Sequence, residues 1–219
     1  MANARAAVSA TKPMRIGMLG GSFDPPHVAH HRLAALALDT LGLHALHVVP
    51  TGHAWHKTRQ LSAAPHRLAM SQLAFADLAN VVVDDCEIAR GGESFTLDTL
   101  QALESKYAHL TSPIEWVLVI GWDQLSRFTT WYQWQNIASR VLLAVAYRVD
   151  ASETNPAQPD LSEWQAVGLR LVLLPMLPVS ISSTYVRDHV PNEQPLDDWR
   201  EMVSPEVAHY ITKNGLYQA

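Results

Sequence analysis

Six short apolar runs set the tightest limit on how this 219-residue chain can fold. They lie at residues 14–19, 45–50, 81–83, 114–120, 141–146 and 169–174, are of strand length, and are rich in Val, Leu and Ile. A continuous apolar run of this kind reads as a strand buried on both faces. Most are followed by helical composition and period. One such stretch runs to about Leu41, where Gly42 stands as a stop, and another spans about Pro65 to Ala79. A third opens at Ser94 or Thr96 as N-cap and carries Leu97, Leu100, Leu103 and Tyr107 on one face. A broken helical stretch spans Trp122 to Ala138, and a polar loop spans Asp150 to Asp160. A short helix opens at Ile181–Thr184, and a last one starts at Ser204-Pro205 and stops at Asn214-Gly215. The alternation predicts an α/β fold: a doubly wound, mainly parallel sheet of about six strands with helices on both faces. In such sheets ligands bind beyond the carboxyl ends of the strands, where the strand order reverses. The segments beginning at Gly20, Thr51, Gly121 and Ser180 each follow a strand end, so they can converge on one crevice.

With 48% hydrophobic residues the chain can bury one substantial core, which predicts a single domain over 14–219 with a small C-terminal helical part from about residue 181. Residues 1–13 are Ala-rich, lack acids and contain no apolar core, so they read as a disordered extension. The formal net charge of −5 argues against a nucleic-acid or anionic-membrane surface, because such binding needs a basic face. Cys86 is the single cysteine and reads as a small residue near a strand end; no intrachain disulfide can form. No apolar run approaches the ~20 residues that span a bilayer. A soluble, cytoplasmic protein is expected, with a homo-oligomer left open.

The stretch from Gly20 to His31 holds two glycines and spaced histidines at a strand-to-helix turn. Backbone N–H groups at a helix start, approached closely over glycine, suit a phosphate group. The familiar phosphate patterns are absent, for there is neither G-x-x-x-x-G-K-[ST] nor G-x-G-x-x-G. His27 and His30 are three apart and share one face of the first helical turn. With no H-E-x-x-H and no Cys cluster, a zinc site has no support.

Gly20-Gly21-Ser22-Phe23-Asp24-Pro25-Pro26-His27-Val28-Ala29-His30 resembles the G-G-[ST]-F-D-P-x-H-x-G-H signature of the nucleotidylyltransferase superfamily, and Ile181-Ser182-Ser183-Thr184-Tyr185-Val186-Arg187 resembles its second motif, I-S-[SA]-T-x-[IV]-R. Three further segments are similar to the nicotinate-mononucleotide adenylyltransferase branch: His56-Lys57 with Arg67-Leu68-Ala69-Met70, then residues 94–100, then Gly121-Trp122-Asp123-Gln124-Leu125 with Phe128 and Thr130-Trp131-Tyr132. The likeness runs from about Met14 to Tyr217. Two departures stand out. Ala29 replaces the glycine between the histidines, and Trp55 stands where proline is usual. Alanine is tolerable at position 29 if that residue is already helical.

The resemblance implies that ATP and nicotinate mononucleotide give nicotinate adenine dinucleotide and pyrophosphate. It implies phosphate donors at His27 and His30, an ATP cradle at Gly20, Gly21, Ser22 and Phe23, and charge neutralisation by Lys57 and Arg187. Ile181, Ser182, Ser183 and Thr184 would meet ATP from a helix start. Phe95 and Trp131 would stack on the pyridine ring, the backbone around Ser94, Phe95 and Thr96 would receive the nicotinate carboxylate, and Asp123 would bond a ribose hydroxyl. Mg²⁺ is expected on the ATP phosphates, with no dedicated protein cage. Two alternatives remain open on the residues alone: another adenylyltransferase of this fold, acting on pantetheine phosphate, and a nucleotide-binding regulatory protein without turnover.

Overall fold

The apolar runs pair side by side as strands β1 (Met14–Gly21), β2 (Ala45–Pro50), β3 (Val81–Val83), β4 (Ile114–Gly121), β5 (Val141–Arg148) and β6 (Leu171–Met176). The computed structural model describes residues 12–52, 61–149, 158–177, 181–191 and 199–218. All pairings in the sheet are parallel, in the order β3-β2-β1-β4-β5-β6. The chain therefore builds outward from β1 to β3, returns, and builds outward again from β4. The reversal falls between β1 and β4, and the carboxyl ends of these two strands are Gly20-Gly21 and Gly121.

Helices α1 (Val28–Leu41), α2 (Ala64–Ala74), α3 (Cys86–Arg90), α4 (Thr96–Tyr107), α5 (Trp122–Leu125), α6 (Trp134–Ala138), α7 (Ser162–Ala166), α8 (Ser183–His189) and α9 (Pro205–Lys213) complete the described chain. Strand side chains alternate between two cores, as a two-fold period requires. Val117 and Val119 of β4 face Leu33, Ala34 and Ala37 of α1, Met70 of α2 and Ile211 of α9. Trp116, Leu118 and Ile120 face Leu97, Leu100 and Leu103 of α4 with Phe128 and Ile137. The doubly wound expectation holds, and Trp116 is buried in the second core. Trp164 is only half-buried, edge-on to Trp122 at 5.2 Å.

Several boundaries differ from expectation. The helix expected to reach Ala79 ends at Ala74, because Phe75 turns its ring into the core against Phe23 at 5.9 Å. Neither Ser94 nor Thr96 caps α4: Phe95 is the N-cap, and no side chain closes it. The last strand starts two residues late, since Leu169 N–H first bonds Trp164 O and completes the turn after α7. The short helix α3 went unforeseen.

Asp84, beyond the end of β3, is not merely a turn residue. Its buried carboxylate meets His47 Nδ1 at 2.9 Å and accepts from Lys106 Nζ at 2.6 Å and the Cys86 amide at 3.1 Å. Burial would raise this carboxyl, but the donors outweigh it and hold it far below the usual range. Burial and the Asp84 charge push the Cys86 thiol up to about 12, so it stays an unreactive thiol. Among the described residues no helix is long and apolar enough to cross a membrane.

Candidate active site

The turn between β1 and α1 is packed from beneath. Phe23 is fully buried with φ of +46°, and its ring lies under Gly21, where an added Cβ would come within 2.9 Å of it. Among the described residues a Cβ on Gly20 would meet nothing within 4 Å, and the same is true of Gly121 on the adjacent strand. The two glycines of the motif thus do different work. Gly21 makes room for Phe23, whereas Gly20 leaves backbone open to the crevice at the strand-order reversal.

His27 is the N-cap of α1 and His30 lies one turn in, with the two rings stacked 3.8 Å apart. The His27 backbone N–H donates to His30 Nδ1 at 3.2 Å, which leaves the His30 ring proton on Nε2. His27 Nδ1 is buried with no hydrogen-bond partner among the described residues, and burial lowers the His27 pKa from 6.5 to about 4. At neutral pH it is therefore a neutral imidazole with one N–H to give. Ala29 falls inside α1, where alanine has the best helix propensity, so the fold accepts it without strain.

The second motif docks on this turn. Ser183 Oγ donates to Pro25 O at 2.9 Å, and Arg187 donates to Asp24 O at 2.6 Å and to Thr184 Oγ1 at 2.9 Å. Ser182 caps α8 by accepting from Tyr185 N–H at 3.0 Å. Gly20, Gly21, Ser22, Phe23, His27, His30, Ser183, Thr184 and Arg187 are thus brought together, with Ile181 and Ser182 leading into α8. Lys57 lies outside the described residues, as do His53, His56 and Trp55.

The predicted pyridine side is looser. Ser94, Phe95 and Thr96 open α4 and are half-buried, and Asp123 is exposed in α5 just past Gly121. Phe95 and Trp131 do not face each other. The Phe95 ring lies 4.8 Å from Tyr132, which is 53% exposed, while Trp131 packs on Phe128 at 5.3 Å. Tyr132 was named in the resembling segment from the sequence but given no role beside Trp131.

The charges beneath the turn, Arg67 and Asp24, belong to the resembling segments but were assigned no role from the sequence. Arg67 of α2 is 2% exposed, and its guanidinium donates to four backbone carbonyls: Ser22 O at 3.1 Å, Thr51 O at 2.6 Å, Gly52 O at 3.1 Å and Ser62 O at 2.9 Å. The Asp24 carboxylate, fully buried, accepts from Tyr217 O–H at 2.7 Å and Ser62 N–H at 3.2 Å. Burial and the Asp24 charge push the Tyr217 hydroxyl far above its ordinary pKa, so it remains a donor. Glu87 of α3 is buried as well, accepting from Thr99 Oγ1 at 2.6 Å, near the start of α4.

The chain belongs to the cytidylyltransferase-like family, whose pattern matches residues 18–189 and so spans both the histidine turn and the helix docked on it. Its relatives narrow this class. A protein of Albidiferax ferrireducens named "Probable nicotinate-nucleotide adenylyltransferase" is 44% identical over 204 residues, covering 93% of this chain and 98% of its own. A protein of the same name from Methylibium petroleiphilum is 41% identical, covering 96% and 95%. In structure, nicotinic acid mononucleotide adenylyltransferase of Plasmodium falciparum, complexed with NaAD, superposes with a TM-score of 0.72 at 20% identity, covering 93% of this chain and 97% of its own. That likeness is one of fold.

Proposed function

We propose that this chain is a nicotinate-nucleotide adenylyltransferase, moving the adenylyl group of ATP to nicotinate mononucleotide and releasing pyrophosphate in NAD biosynthesis. The observation that carries the reading is the docking of Ser183 and Arg187 on the carbonyls of Pro25 and Asp24, beside the open Gly20. It joins both nucleotidyl-transfer motifs into one phosphate-facing surface. The names and near-complete coverage of the curated relatives supply the acceptor.

The attacking group is the mononucleotide's own phosphate, already anionic, so no protein base and no covalent intermediate is needed. The P–O bond to the acceptor phosphate forms at the α-phosphorus of ATP as the bond to pyrophosphate breaks. The chain's work is to align the two and to stabilise charge, and alignment alone is worth roughly 7–11 kcal/mol. His30 Nε2–H and the one N–H of neutral His27 donate to the ATP phosphates. Gly20 admits backbone to them, Arg187 and Lys57 offset the negative charge collecting on pyrophosphate, and Ser182, Ser183 and Thr184 approach from the start of α8.

The open start of α4 at Phe95-Thr96 receives the nicotinate carboxylate, Trp131 and Phe95 cover the ring, and Asp123 bonds a ribose hydroxyl. Among the described residues no three His, Cys, Asp or Glu side chains gather into a metal cage. A Mg²⁺ carried by the triphosphate and water would supply charge neutralisation between the phosphates. The reading places the protein in the cytoplasm with small nucleotides as its partners, and leaves a homo-oligomer open.

The deciding experiment follows pyrophosphate release from Mg-ATP with nicotinate mononucleotide, nicotinamide mononucleotide or phosphopantetheine as acceptor. Release with nicotinate mononucleotide is expected. Release with phosphopantetheine alone would overturn the assignment, and release with none would leave a nucleotide-binding protein without turnover.

A further inference from the structure

Beneath the histidine turn lies a polar cluster that none of the assigned roles uses. Arg67 and Asp24 grip the same peptide from both sides: Arg67 Nε donates to Ser62 O at 2.9 Å, and Asp24 Oδ2 accepts from Ser62 N at 3.2 Å. The other guanidinium bonds tie Ser22, in the turn itself, to Thr51 and Gly52 at the end of β2. A buried cation that spends its donors on four carbonyls from three chain segments is a costly way to fill space, since a buried charge is stable only when fully bonded. Asp24 is engaged twice more. Its backbone oxygen holds Arg187, and its second carboxylate oxygen holds Tyr217, 193 residues along the chain.

We infer that Arg67, Asp24 and Tyr217 are positioning residues of the transfer reaction, fixing the depth and angle at which the Gly20–His30 turn and Arg187 meet ATP. The inference rests on the adenylyl-transfer reading for its acceptor but not for its ATP side. None of the three touches the reacting atoms. Arg67 sets the spacing between the β1 and β2 ends, and Asp24 passes the position of Ser62 and Tyr217 to Arg187 through its own carbonyl. A shift of a fraction of an ångström at Asp24 O moves Arg187 directly, and transfer in line is sensitive to such shifts.

Two variants test this. Tyr217→Phe keeps the ring and removes only the hydroxyl, and Arg67→Lys keeps the charge but brings three donors to four carbonyls. Melting temperature, KM for each substrate, kcat, and binding of a non-hydrolysable ATP analogue are measured on each purified, folded protein. Tyr217→Phe is expected to fold, to lose on the order of tenfold in kcat/KM for ATP, and to keep KM for nicotinate mononucleotide within about twofold. Arg67→Lys should lose more in the same direction. A lower melting temperature with wild-type kinetic constants per folded molecule, or equal changes in both KM values, would overturn the inference and leave a purely structural cluster. If Arg67→Lys does not fold, Tyr217→Phe decides alone. Should the wild-type protein bind the analogue yet fail to turn over nicotinate mononucleotide, the functional reading fails. The analogue then still decides the inference: weaker binding in Tyr217→Phe supports it and unchanged binding overturns it.

Discussion

The two halves of the crevice are built on different physical terms. The proposed ATP side is held by two buried charges, Arg67 and Asp24, and by the Ser183 hydroxyl, all bonding to backbone carbonyls or amides, with the imidazoles stacked above. The pyridine side is held by ring contacts near the surface, with Phe95 beside Tyr132 and Trp131 on Phe128. Backbone hydrogen bonds are directional and fail over tenths of an ångström, whereas aromatic packing tolerates tilt and sliding. On the proposed function, directional bonds hold the half that would meet the α-phosphate, and more tolerant ring contacts hold the half that would select the acceptor. A change on the first side should appear in turnover, and one on the second in acceptor affinity.

The largest break in this contrast is expected from His27→Ala, which should keep the fold and lose on the order of 10²–10³ in kcat, the scale of one transition-state donor. Near-normal turnover would remove His27 from the reaction. Next comes the glycine pair. In Gly21→Ala the new methyl meets the Phe23 ring, so urea unfolding should show a loss of about 1–3 kcal/mol. Gly20→Ala should change stability by less than about 0.5 kcal/mol yet raise KM for ATP severalfold, because its methyl points into the crevice. Equal behaviour of the two would contradict the division of labour between them. Trp131→Ala should raise KM for nicotinate mononucleotide about tenfold with kcat and KM for ATP nearly unchanged, in line with the loss of one stacked ring.

The smallest effect is on stability against pH. The folded-state pKa of His27, about 4, lies below its ordinary 6.5. As pH falls through 6.5 the unfolded chain takes up the proton first, so the fold loses stability progressively down to about pH 4. Between pH 7 and 5.5 the loss should be about 1 kcal/mol, and denaturant titrations of His27→Gln should lack that component.

The strands were legible because parallel strands buried on both faces are written as unbroken Val, Ile and Leu runs, and the crevice followed from where those runs end. The histidine turn and the α8 motif were legible as residue patterns. The support beneath them was not. An arginine in a helix reads as a solvated residue, although Arg67 lies on one helical stripe with Met70, Ser71 and Ala74, all buried. That apolar company was the available signal. Asp24 stands in the first motif, but the sequence could not show what its carboxylate bonds, since its partner Tyr217 lies far away along the chain. Tyr132 was hidden for a different reason: choosing among adjacent aromatics needs the local backbone direction, which the sequence does not display.

The bond from Tyr217 to Asp24 also has a consequence for the order of synthesis. A chain made from its N-terminus assembles β1, β2 and the helices around them while the segment near residue 217 is still inside the ribosome. Until that segment emerges, the Asp24 carboxylate keeps its bond from the Ser62 amide but lacks the Tyr217 hydroxyl, and the turn is a nascent structure without its final lock. If the Tyr217 bond sets the position of Arg187 through Asp24 as inferred, full competence for ATP arrives late in the life of the growing polypeptide.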